Sequence, residues 1–178
     1  FAKSVTGDVT KLLIGATGVS AADISPTNPL GAGGGLKDGK LGMVIFRDTA
    51  TNTTTGTALF ASGSFTVGGA ISGSGTVTVR RNSLTTAVNE TVNVNGVAVP
   101  IIFSGTEVAG TGGPFWNITL SDGQLTIGDF IFVRGNVGIG SLQPDGSTKT
   151  TITNASLEFM TPVMTEPLLK IIASEVIY

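Results

Sequence analysis

Four asparagines stand in the N-x-Ser/Thr spacing of an acceptor for N-linked glycan: Asn52, Asn89, Asn117 and Asn154. The chemistry needs a side-chain amide to take the sugar and a hydroxyl two residues on, and it implies a chain exported from the cytosol. Chance alone gives about two such matches in a chain this rich in Asn, Ser and Thr. Their setting says more than their number. Asn89, Thr91 and Asn93 alternate with Val92 and Val94; Asn117 and Thr119 alternate with Trp116, Ile118 and Leu120. Asn154, Ser156 and Glu158 alternate with Thr153, Ala155, Leu157 and Phe159. Side chains change sides at every strand residue, so these three sequons are expected to project from the polar outer face of a sheet. Asn52 falls in the polar loop Thr51–Thr57. Glycans are thus expected partners.

Other chemistry is weakly represented. Gly34–Lys40 (GGLKDGK) matches a phosphate-binding loop up to its lysine, but Leu41 stands where Ser or Thr should hold magnesium, and no strand-like run precedes it. A glycine loop accounts for it. Asp129, Glu107 and Glu158 are the carboxylates in or beside strand-like segments, and no spacing pairs two of them for acid–base work. The chain has no Cys and no His, which removes thiol nucleophiles, His-based triads and the usual zinc ligands. No catalytic residue, metal or cofactor is expected, and the chain is read as a non-enzyme. A net charge of −2 argues against a general nucleic-acid binder. Arg80 and Arg81 are neighbours, but adjacent strand residues point to opposite faces.

The elements that carry these residues read as strands. The 178 residues suit one domain; charged residues make up only 12%, while 26 threonines match 26 glycines, so hydroxyls and glycine must cover the surface. Thr, Val and Ile favour strands, and helix-forming stretches are nearly absent. Strands are expected at Leu41–Arg47, Ala58–Val67, Gly75–Arg81, Ala87–Val94, Val97–Phe103, Phe115–Ser121, Leu125–Arg134 and Lys149–Met160. Asn95–Gly96 marks a tight hairpin, and Ser121–Gly123 and Pro144–Gly146 read as further turns. Leu125–Arg134 is apolar on both sides, so it is covered twice, inside the fold or at an interface. Trp116, Ile118, Leu120, Val92, Val94, Leu157 and Phe159 are expected in the core between two sheets. An immunoglobulin-like β-sandwich is the expected architecture of residues 41–178.

Ahead of that domain lie two different segments. Residues 1–20 form an isolated strand-like run, with Val5, Gly7, Val9 and Leu13 in one frame and Leu12 and Ile14 in the other. Residues 21–40 (AADISPTNPLGAGGGLKDGK) are a Pro/Gly-rich connection without periodicity. The absence of an initiator Met is read as leader removal, and no apolar run reaches the roughly 20 residues of a membrane-spanning helix.

A cysteine-free, Thr/Gly-rich β-domain with sequons and an apolar N-terminal strand resembles pilins assembled by donor-strand exchange, most closely the archaeal thread type. The resemblance implies a pilin-like sandwich with Phe1–Val19 as donor strand, Ala21–Lys40 as hinge and Leu41–Tyr178 as acceptor domain. It implies an extracellular surface filament, a head-to-tail homopolymer serving adhesion or biofilm formation. The run Leu168–Tyr178 is the alternative donor. The rival reading is a secreted monomeric binding module or a capsid-like coat subunit, in which residues 1–20 pair within their own domain.

Overall fold

The computed structural model describes residues 1–22, 35–68, 71–127, 130–142, 148–160 and 166–177. Every regular element among them is a β-strand: β1 (Ala2–Thr6), β2 (Val9–Ala22), β3 (Gly35–Asp48), β4 (Thr54–Val67), β5 (Ile71–Asn82), β6 (Val88–Val94), β7 (Val97–Phe103), β8 (Phe115–Ile127), β9 (Ile131–Leu142), β10 (Thr148–Phe159) and β11 (Leu169–Ile177). Nine form one antiparallel sheet in the order β1-β2-β3-β4-β5-β8-β9-β10-β11, and β6 and β7 form a separate two-stranded ribbon. The chain is therefore all-β, as its composition predicts.

The ribbon turns at Asn95–Gly96, where both residues take the positive φ that a type I′ turn requires (50° and 82°). It lies over β2, β3 and β4, and its inward residues Val88, Val92, Val99, Ile101 and Phe103 make the core with Leu13, Val44 and Ala58. Glycine sets the closeness of that contact. Gly15 and Gly42 are register partners in β2 and β3. A Cβ on Gly15 would stand 2.6 Å from Val92 Cγ1, and one on Gly42 would stand 2.9 Å from Ile101 Cγ1. Two ion pairs fasten the ribbon at its sides, Lys11 to Glu90 at 2.6 Å and Arg80 to Glu107. Buried Asn82 ties the loop after β5, donating to the Thr86 and Glu107 carbonyls and accepting from the Leu84 amide.

Pleating and register divide the large sheet into two faces. On the ribbon face, Leu13, Val44 and Ala58 give way to Arg80 and Asn82 on β5, then to Asn117 and Thr119 on β8. On the opposite face Leu12, Ile14, Met43, Leu59, Val79, Ile118 and Ile139 run across the strands. Ile118 is 41% exposed and Ile139 37%. No described element covers that second face.

Several expectations change here. Of the seven residues assigned to the core, Val92 is buried, but Trp116, Leu120, Leu157 and Phe159 are only half-buried and Ile118 is exposed. Alternation separates two faces without saying which is covered, and the ribbon covers the other one. Leu125–Arg134 is not one strand: Ile127 pairs with Ile131 and Leu125 with Val133, so the chain reverses there. Ser121–Gly123 is a bulge inside β8, with Asp122 at φ 53°, and not a turn. Residues 1–20 divide into the hairpin β1–β2 with Gly7 at φ 58° in its turn, and β2 pairs along its length with β3 of the same chain. The connection read as 21–40 is shorter on both sides, since Ala21–Ala22 end β2 and Gly35–Lys40 begin β3; residues 23–34 lie outside the described residues. Pro144–Gly146 and Tyr178 also lie outside them.

Candidate functional site

Three kinds of site can be built from these elements. The first is the sheet's pair of edges and its open apolar face. Strand β1 is exposed throughout, with Val5 at 59%, and β11 at the opposite edge carries Ile171 and Ile172 at 52% and 69%. Among the described residues each edge strand pairs on one side only, which leaves a row of backbone donors and acceptors without a strand partner. On the open face, Phe65, Leu120, Leu125, Val133, Val137 and Ile152 line an apolar hollow of about 380 Å³. A second hollow of about 240 Å³ lies among Ala16, Val19, Leu36, Leu41, Ala61 and Val79.

The residues expected in a donor strand are split between these surroundings. Val5 lies on the exposed edge, and Gly7 is in the hairpin turn. Val9 is half-buried at the start of β2. Leu13 is buried beneath the ribbon, while Leu12 and Ile14 are half-buried on the open face. Both sequence frames are thus in use, one on each side of β2.

The second kind is the sequons. Asn52 is exposed beyond the end of β3, at φ 53°. Asn89 is exposed on the outer side of the ribbon, with Val88 and Val92 facing in. Asn154 is exposed at a bulge in β10, at φ 52°. Asn117 differs. It is half-buried on the ribbon face of β8, and its Nδ2 donates to the Ile139 carbonyl at 3.3 Å. It lines a cleft of about 570 Å³, beside Phe115, Thr119, Gly138, Gly140, Lys149 and Thr151. Strand alternation located Asn117 on the polar face, but the cleft is made by the adjoining loop Thr106–Pro114 together with Gly138 and Gly140 of β9 and Lys149 and Thr151 of β10, which only the sheet register brings there.

The third kind is the carboxylates. Glu158, read as a surface residue, is instead 5% exposed and holds two cations, Arg134 at 3.0 Å and Lys170 at 2.7 Å. The signal available was its position between Arg134 of one neighbouring strand and Lys170 of the other, which needs the register to be seen. The hydrogen bond from Lys170 chiefly holds its carboxyl below the ordinary range; burial opposes this, and Arg134 adds to the lowering. Glu107 is likewise lowered, mainly by Arg80, with burial opposing and the Ser104 amide assisting. Each carboxylate serves a cation that joins two elements, and Asp129 lies outside the described residues. Gly35–Lys40 begins β3, with a register shift between Lys37 and Lys40 where Asp38 takes φ 55°. Among the described residues, no group of three or more His, Cys, Asp or Glu could hold a metal ion. No family model matches the chain, and no curated protein or solved structure matches it.

Proposed function

We propose that this chain is a structural subunit of an extracellular surface filament, polymerising head-to-tail by exchange of its N-terminal strand into a pilin-like sandwich, with a role in adhesion or biofilm formation. The observation that carries the reading is the way β2 is held. It pairs with β3 from Val9↔Asp48 to Ala22↔Gly35, buries Leu13, and supplies Gly15 as a seat for the ribbon. The connection from β2 to β3 contains SPTNPLGAGG, rich in residues that favour turns and open loops.

An exchanged strand would keep every one of those contacts while drawing them from a neighbour, which is why swapping an element costs little. Donor and acceptor then lie on different surfaces of each subunit, and the contact repeats without closing. Backbone pairing supplies affinity, and alternate side chains supply specificity. The open apolar face adds a surface that burial within a fibre would stabilise, at about 25 cal/mol per Å² removed from water. The sequons support an exported glycoprotein, and the scarcity of charge suits subunits that bury much of their surface.

The second reading, a secreted monomeric β-module or coat subunit, is favoured by the same pairing when it stays within one chain. Electron microscopy of the native material separates the two. Uniform thin fibres are expected; discrete particles or monomers would favour the second reading.

A further inference from the structure

The cleft around Asn117 is a feature of the ribbon face that the filament reading does not use. The ribbon covers that face over β2–β4 and reaches β5 and β8 only at Arg80 and Phe115. Beyond it, the register Asn117↔Gly140 and Thr119↔Gly138 lays a lane across β9 with no side chain in it, and Gly138 pairs in turn with Thr151. Built Cβ atoms on Gly138 and Gly140 would come no nearer than 3.7 Å to a neighbour, so packing alone does not require glycine there. The floor is hydroxyl and ammonium: Thr119, Thr151 and Lys149. The wall is apolar: Val108, Pro114 and Phe115, the last fixed edge-to-face against Phe103 at 6.1 Å. An apolar wall over a hydrogen-bonding floor suits a sugar, which has a C–H face and a hydroxyl rim. Its volume lies within the roughly 300–1,000 Å³ of ligand sites.

We propose that Asn117 carries a structural N-linked glycan whose first sugars lie in this cleft, covering the half of the ribbon face that the ribbon leaves open. This rests on the exported-glycoprotein reading above. Attachment transfers an oligosaccharide from a lipid-phosphate donor. Asn117 Nδ2 bonds to the anomeric carbon, the carbon–oxygen bond to phosphate breaks with its electron pair leaving on the lipid phosphate, and one amide proton is lost. The amide keeps its other N–H, so the bond to the Ile139 carbonyl survives modification. The glycans on Asn52, Asn89 and Asn154 start from exposed sites and stay in solvent.

Periodate oxidation of the native protein, read site by site from glycopeptide masses, tests this. Vicinal diols at Asn52, Asn89 and Asn154 should oxidise freely, while the inner sugars at Asn117 react at least about tenfold more slowly until the protein is unfolded, as expected for groups exposed only by opening. Gly140→Leu, which fills the lane but keeps the sequon, should abolish that protection. Thr119→Ala, which removes the sequon, should lower the melting temperature by about 2–4 °C, and Asn89→Gln should leave it unchanged. Bare peptides at all four sites would end both the glycoprotein reading and this inference. Sugar at the other three with Asn117 bare, or oxidised as fast as they are, would overturn this inference alone.

Discussion

At the scale of single residues, the described core has one fully buried aromatic, Phe103, and the buried charge of the described residues, Glu158, lies apart from it on β10. Phe103 is 2% exposed, packs against Phe115 and lies 4.8 Å from the Arg80 guanidinium. Phe103→Ala should destabilise by about 3–5 kcal/mol, the cost of emptying a large buried site. Trp116→Ala, on the half-buried open face, should cost the isolated subunit clearly less; denaturant midpoints of the two variants decide the order. Glu158 gives a pH dependence. Its carboxyl is held below the ordinary value of 4.5, so its contribution is present above that pH and disappears as pH falls through the lowered value. Urea midpoints measured from pH 7 to pH 3 should fall in that acid range, and Glu158→Gln should flatten the decline while lowering stability at pH 7.

At the scale of elements, the ribbon depends on the glycines beneath it. Gly15→Val would drive a side chain into Val92 and Val94, and overpacking of that kind costs about 1–3 kcal/mol, detectable as a lower midpoint with the ribbon's amides exchanging faster. Strand type and the Asn95–Gly96 hairpin were legible in the sequence because alternation and turn chemistry are local. The run named as the alternative donor forms β11 over Leu169–Ile177. The bulge at Asp122 looked like a turn because Asp-Gly supplies the same positive φ to both. The reversal between Ile127 and Ile131 was missed because Leu125–Arg134 is apolar throughout, so its alternation carried no mark of where the chain turns. Of the candidate sites, the exposure of Asn52, Asn89 and Asn154 was legible for the same local reason. The cleft at Asn117 and the burial of Glu158 were not, since each depends on the register of neighbouring strands: β9 and β10 at the cleft, β9 and β11 at Glu158.

At the scale of the whole molecule, the proposed filament function turns on whose β2 fills the place beside β3. Deleting Phe1–Gly18 should leave a destabilised subunit that does not polymerise, and the same segment added as a peptide should raise its melting temperature, because it binds only the folded state. Leu13→Asp should block assembly, since that side chain is buried under the ribbon and an unpaired charge there is heavily penalised. The most direct measurement is a disulfide trap across this pairing. The chain has no cysteine, and Ile14 and Met43 are register partners, at the separation of about 4.4–6.8 Å between Cα atoms that a disulfide spans. In the Ile14→Cys, Met43→Cys variant, oxidised after assembly and run in denaturant without reductant, exchange between subunits gives a ladder of covalent dimers, trimers and longer chains. Quantitative cross-linking within single chains, with no ladder from assembled material, would contradict it.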